Sequence, residues 1–283
     1  MKLLFYLITL IPIHFIRSAI NLYTKLSLHK TTSVYKLTMC NIKICFPDLS
    51  DAEKALLAKE SFIETFVSGY ETFQSWARPI HISGKKIFRI ENNYLISQNS
   101  NKNGLAIIAI HNRSVDMLLK WINSKTNTTT LYKKIKIKYL DKFVRKQREA
   151  NNNEVYETNI NGVRKIFKAF IDNKVVCLAA DQVPKRGMGE YIKFFNTDAY
   201  TTTLAASMVR KTKKPAVFIC INSFENNRLG VTIKPSKESI YNDSEYKLSV
   251  NQSIEDLIKI NPKDYSWEYK RFRRSPSGID PYV

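Results

Sequence analysis

Of the four histidines in the sequence, His111 alone closes an unbroken apolar run, Leu105 to Ile110, and has a carboxylate five residues on, Asp116. Asp116 falls in the first turn of the next helical stretch, where a strand–turn–helix corner can fold a carboxylate back onto an imidazole. A carboxylate there accepts the hydrogen bond from Nδ1–H, fixes the tautomer and stabilises the imidazolium, leaving Nε2 to take a proton from a hydroxyl. Such a pair activates an acceptor alcohol directly, with no metal and no serine nucleophile. On spacing alone, a structural histidine satisfied by its neighbours is the more frequent outcome of an H-x-x-x-x-D match. His14, His29 and His81 have no comparable setting. Downstream, Arg145 and Arg148 carry planar forks suited to phosphate, with a solvated basic face as the plainer alternative. Asp181 follows the apolar run Val175 to Ala180 and reaches the same sheet edge as His111, where it positions substrate or arginines, or caps.

The elements that must hold these groups are readable from periodicity. Leu105 to Ile110 has the length and composition of a buried parallel strand, and Val115 to Ile122 resumes at helical spacing. Further strands are expected at Thr128 to Tyr132, Val175 to Ala180, Pro215 to Ile221 and Leu229 to Ile233. Helices are expected at Ile135 to Ala150, Val163 to Asp172 and Thr203 to Thr212, with a loop at Asn151 to Asn153. This alternation reads as an α/β fold, a mostly parallel central sheet flanked by helices. Ligands in such sheets sit beyond the carboxyl ends of the strands, which is where His111 stands. Earlier, Ser50 and Glu53 form a capping box, and Phe62, Phe66 and Tyr70 recur at helical spacing as a core face.

A chain of 283 residues with 44% hydrophobic side chains has a core, yet is too polar for a polytopic membrane protein. The formal net charge of +20 points to an anionic partner: nucleic acid, a membrane surface, or an acidic protein or substrate. Cys40, Cys45, Cys177 and Cys220 show no C-x-x-C pair and read as small apolar residues in a reducing compartment, not as metal ligands. Leu3 to Ile16 is almost wholly apolar and lacks a small-residue cleavage site. It reads as a marginal single span or an interfacial helix, with an ordinary buried helix as the bland alternative. The basic residues after it favour a cytoplasmic location for the remainder. The expected organisation is a membrane anchor or interfacial helix over 1–25 and one domain over 26–283.

The stretch Asn41-Ile-Lys-Ile-Cys-Phe-Pro-Asp-Leu-Ser50 resembles the N-I-x-x-C-F-P-E-L-S segment of the lipid A biosynthesis acyltransferases. The resemblance continues through the histidine corner, Arg145, Arg148-Glu149, Ala180-Asp181-Gln182, and Phe194-Phe195 followed by Thr201-Thr202-Thr203. It closes with Tyr265-Ser-Trp267 and Arg271-Phe272-Arg273, similar to the family's terminal Y-x-W-x-x-x-R-F-K-x-R-P segment. Each piece is weak; their consistent order along the chain is specific. Two departures stand out. Asp116 takes the place where the lipid A branch usually has Glu and glycerolipid acyltransferases have Asp, and Lys193 stands where Pro is frequent.

This resemblance implies a lysophospholipid-acyltransferase-like fold at the cytoplasmic face of the inner membrane. It further implies transfer of a fatty acyl chain from acyl carrier protein to a hydroxyl of an anionic, Kdo-bearing lipid A precursor. On that reading His111 is the base, Asp116 supports it, Arg148, Arg145 and Asp181 face substrate, and no cofactor or metal is required. A glycerolipid or other glycolipid acceptor is the alternative that Asp116 keeps open. The rival of another class is a non-catalytic nucleic-acid binder using Trp267, Phe272, Arg271, Arg273 and Arg274. No nucleic-acid module accompanies them, so no nucleic-acid partner is expected.

Overall fold

A computed structural model describes residues 2–100 and 103–282; Met1 and Val283, the outer limits of the two expected units, lie outside the described residues. The chain opens with two helices, α1 (Lys2–Ile8) and α2 (Ile13–Lys25). The N-terminal membrane helix expected from the apolar run is not formed. No helix among the described residues is long and apolar enough to cross a membrane. The cause is Pro12, which cannot donate a helical hydrogen bond and forces Ile11 out of helical geometry, so the run breaks between residues 8 and 13. Both pieces dock on the protein. Phe5 stacks on Phe73 at 5.1 Å between ring centroids, and Arg17 donates to Glu64 at 2.6 Å and to Asn227 at 2.7 Å.

Next come α3 (Ser33–Cys45), the long α4 (Asp51–Ala77) and the short α5 (Ile80–Ser83). The Ser50–Glu53 capping box is present at the start of α4. Phe62 and Tyr70 are buried as expected, but Phe66 leans on Phe62 with 46% of its surface exposed, so only part of that aromatic face is core. Two glutamates of α4, Glu64 and Glu71, are buried instead.

The sheet and its helices follow: β1 (Ile87–Glu91), α6 (Tyr94–Ser100), β2 (Leu105–Ala109), α7 (Val115–Ile122), β3 (Thr128–Tyr132), α8 (Lys138–Arg148), β4 (Glu154–Glu157), α9 (Ile160–Ile171) and β5 (Val175–Ala179). A hairpin of β6 (Gly189–Phe194) and β7 (Thr197–Thr202) precedes α10 (Leu204–Thr212), β8 (Ala216–Ser223), β9 (Leu229–Pro235) and α11 (Tyr246–Ile258). The seven-stranded sheet runs β1-β9-β8-β2-β5-β3-β4. Its pairings are parallel except β8 with β9, so the expected α/β architecture and mostly parallel sheet are observed. The runs expected as strands become β2, β3, β5, β8 and β9. The short edge strands β1 and β4, the hairpin and α11 were not anticipated.

β2 lies at the centre, buried on both faces. Ala106 and Ile108 enter one apolar cluster, while Leu105, Ile107 and Ala109 enter another. This two-sided burial is why its sequence is an unbroken apolar run rather than an alternation. β2 and β5 pair in parallel with Ala109 opposite Ala179. Two residues beyond that register, the chain reaches His111 on one strand end and Asp181 on its neighbour.

Candidate active site

The turn that carries His111 is fixed residue by residue. Asn112 donates its amide to Ile221 O and Asn222 Oδ1, both at 2.8 Å. Arg113 takes a left-handed conformation (φ 51°), an unusual choice for a long side chain, and its backbone N–H donates to Asp264 O at 2.9 Å. Its guanidinium is buried and donates to Glu71 at 2.6 and 3.1 Å, to Asp264 at 3.0 Å and to Glu64. Three carboxylates around one arginine, with Arg17 on the outer side of Glu64, balance the charge that burial would otherwise penalise. Ser114 then caps α7, accepting from Met117 N at 3.2 Å. Arg113, Glu64, Glu71 and Asp264 were missed from sequence. Two glutamates seven residues apart inside an otherwise uncharged helical stretch were the available signal.

His111 is held by Asp181 at two points. Its backbone N–H donates to Oδ2 at 2.8 Å, and Nδ1 lies 2.7 Å from Oδ1. Asp181 is buried, whereas 28% of the His111 side chain remains exposed. Burial works against ionisation of Asp181, but the imidazole beside it and the N–H bonds prevail, holding the carboxyl below its usual range. Burial likewise opposes the imidazolium of His111, and the Asp181 carboxylate overcomes this, raising the imidazole above the ordinary histidine value. With Nδ1 on a carboxylate, Nε2 is the nitrogen left to exchange a proton with a bound group.

The expected partner of His111 was Asp116, and the structure places it elsewhere. Asp116 receives Arg148 in a two-pronged ion pair, Nε to Oδ1 at 2.7 Å and Nη2 to Oδ2 at 3.1 Å. The reason is geometric. The left-handed Arg113 and the Ser114 cap direct the first turn of α7 toward the end of α8, while parallel register sets Asp181 beside the imidazole. Arg148 also interacts with His111 through space, opposing its protonation, so this pair adjoins the histidine without touching Nδ1. Arg145 pairs with Glu149 at 2.7 Å on the same helix, with 43% of its side chain exposed. Sequence reasoning left the role of Asp181 open; the structure joins it to His111.

The family-like segments converge on this site. Asn41 of α3 is buried and donates to Trp267 O at 2.6 Å and Tyr269 O at 2.9 Å. That clamps the C-terminal segment, whose Ser266 N–H donates to His111 O at 3.0 Å, while Tyr265 bridges to Asn112. Arg271 is buried and donates to Tyr200 O at 2.9 Å and Thr201 Oγ1 at 2.7 Å, joining the threonine segment to the terminal one. Trp267 and Phe272 are buried as well. The aromatic–basic patch of the nucleic-acid rival is therefore interior at Trp267, Arg271 and Phe272, not a surface. Among the described residues, no group of three or more His, Cys, Asp or Glu side chains is arranged to hold a metal ion. Cys45, Cys177 and Cys220 are buried and Cys40 is half-buried.

Comparison with known proteins bears on this geometry. The chain is 20% identical to the lipid A biosynthesis acyltransferase of Haemophilus influenzae, over 85% of this chain and 78% of that protein. It is 18% identical to the lipid A biosynthesis lauroyltransferase of Escherichia coli K12, over 90% of this chain and 84% of that one. It is 22% identical to the palmitoleoyltransferase of lipid A biosynthesis from the same strain, over 84% and 78% of the two chains. A family profile described as bacterial lipid A biosynthesis acyltransferase matches residues 2–274, which takes in the His111 corner, the Asp116–Arg148 pair, Asp181 and the terminal clamp. A match that spans the whole site as well as the whole fold leaves one conclusion: the chain belongs to the bacterial lipid A biosynthesis acyltransferase family and is an acyltransferase.

Proposed function

We propose that this acyltransferase moves a fatty acyl chain from acyl carrier protein to a hydroxyl of a lipid A precursor at the cytoplasmic face of the inner membrane. The observation that carries the reading is the His111–Asp181 contact just beyond the carboxyl ends of the central strands β2 and β5, in a chain of this family. Nε2 of His111 takes the proton of the acceptor hydroxyl as its oxygen attacks the thioester carbonyl carbon. Asp181 stabilises the imidazolium so formed. When the tetrahedral intermediate collapses, the C–S bond breaks and the imidazolium returns the proton to the departing thiolate. The Asp116–Arg148 pair borders the same histidine, and its arginine faces an anionic group of the acceptor. The relatives named for lauroyl and palmitoleoyl transfer to lipid A support the acceptor class. The net charge of +20 supports attraction to an acidic carrier, a phosphorylated glycolipid and an anionic leaflet, at about 1 kcal/mol per basic side chain near anionic lipid. Purified protein incubated with acyl carrier protein loaded with fatty acid and a Kdo-bearing lipid A precursor tests this. The expected product is heavier by one acyl chain in mass spectrometry, and it is absent with His111→Ala. Transfer only to a lysoglycerolipid overturns the acceptor assignment.

A further inference from the structure

Asp181 is not the only carboxylate on a segment bonded to the His111 turn. The C-terminal segment runs back along the histidine turn, with Arg113 N on Asp264 O at 2.9 Å, Tyr265 bridged to Asn112, and Ser266 N on His111 O at 3.0 Å. Glu268 follows two residues beyond the Ser266 bond to the histidine turn. Glu268 is half-buried, and Thr65 of α4 donates to its Oε2 at 3.3 Å, a long and weak bond. No lysine or arginine among the described residues lies within ion-pair distance of it. A carboxylate enclosed this far without a cation is costly unless a positive charge arises nearby. The charge that arises nearby is that of His111, which interacts electrostatically with Glu268.

We propose that Glu268 is a positioning residue that acts through His111: its carboxylate, carried by the segment bonded to the histidine turn, stabilises the imidazolium formed as the acceptor hydroxyl loses its proton. The proposal rests on the acyl-transfer reading above. The charged groups that face His111 are Asp181 beyond β5, Glu268 on the terminal segment and Arg148 at the end of α8, the last opposing the other two. Around Asp181 stand Tyr265 and Arg271. Facing Glu268 are His111, Thr65 and Ser266; burial pushes its carboxyl above the usual range and His111 pulls it back. As the site is occupied and water leaves, the uncompensated carboxylate and the nascent imidazolium strengthen one another.

The test is Glu268→Gln, nearly isosteric and able to keep the Thr65 bond, with Glu268→Asp as the variant that keeps the charge. Histidine ring NMR on the whole protein, with the His111 signal identified by its loss in His111→Asn, reads the coupling without substrate. The expected result is that His111 titrates at lower pH in Glu268→Gln and nearer to wild type in Glu268→Asp. The plateau kcat falls about three- to tenfold in Glu268→Gln, and the acid limb of kcat/KM moves to lower pH by the same amount as the ring signal. An unchanged ring titration overturns the proposal, and so does a shifted titration with an unchanged plateau rate. If the wild-type protein transfers no acyl chain to a lipid A precursor, the functional reading fails, and the ring titration alone decides the case of Glu268.

Discussion

Asp181 holds His111 by both its backbone and its ring, one carboxylate oxygen on the amide N–H at 2.8 Å and the other on Nδ1 at 2.7 Å. A single side chain thus sets the height of the strand end and the rotation of the imidazole on it. Removing the charge while keeping the shape should expose that double duty. Asp181→Asn should lower kcat by about 10²-fold or more, since an amide neither stabilises an imidazolium nor guarantees the tautomer, and His111→Ala by ~10²–10⁴-fold. Steady-state kinetics on both variants checks this. A kcat within threefold of wild type in Asp181→Asn would move the catalytic partner elsewhere.

The same contact predicts the pH dependence. Asp181 raises the imidazole above the ordinary histidine value of about 6.5, so the neutral base is populated only at higher pH. The rate should be present above the raised value and lost as pH falls through it. A kcat/KM profile with its acid limb above about 6.5 is expected, moving down in Asp181→Asn. A limb at or below the ordinary value in the wild type contradicts the arrangement.

Asp116 and Arg148 should behave as one unit. Either single removal strands a half-buried charge, so Asp116→Asn and Arg148→Ala should each cost about 1–3 kcal/mol of stability. The double variant should cost little more than the worse single one, and a thermodynamic cycle from urea unfolding reads the coupling. In kinetics Arg148→Ala should raise the acceptor KM more than it lowers kcat, with Lys recovering part of the loss. Additive costs across the cycle would mean that the pair is incidental.

Arg113 should be among the least replaceable residues. Its buried guanidinium balances Glu64, Glu71 and Asp264, so Arg113→Ala leaves Glu71 and Asp264 enclosed without their ion-pair partner and should cost ~3–5 kcal/mol. Asp264 already has its carboxyl pushed up by burial and should protonate first in that variant. Chemical unfolding at pH 5 and pH 8 checks both points: the deficit should be smaller at the lower pH, where protonation relieves the stranded charge. A deficit under 1 kcal/mol would sink this account.

Much of the architecture could be read from side-chain order. Leu105 to Ile110 announced a strand because two-sided burial leaves no polar position in it, and Ser50 with Glu53 announced a helix start because cap chemistry is local. The strands β1 and β4 escaped because an edge strand has one exposed flank and carries ordinary polar residues such as Arg89 and Glu157. His111 could be singled out by where it falls, immediately after the central strand. Its partner could not be chosen, because Asp116 is near in sequence while Asp181 is near only through the register of β2 on β5. Sheet register is a property of two strands 70 residues apart, and no spacing rule within one segment contains it. Glu268 was invisible for the same reason: its place depends on the Asn41 clamp and on the path of a segment with no regular structure.

That clamp has a consequence for the order of events during synthesis. The histidine turn is made early, yet the groups that hold it against Asp264 O, Tyr265 and Ser266 N are translated more than 150 residues later. A ribosome releases residues in sequence, so the sheet and the His111–Asp181 contact can assemble while the turn still lacks its bonds to the terminal segment. The turn receives its remaining backbone bonds only when the segment from Asp264 to Ser266 is laid against it, so a chain cut short before Asp264 is expected to keep the His111–Asp181 contact but lack that brace.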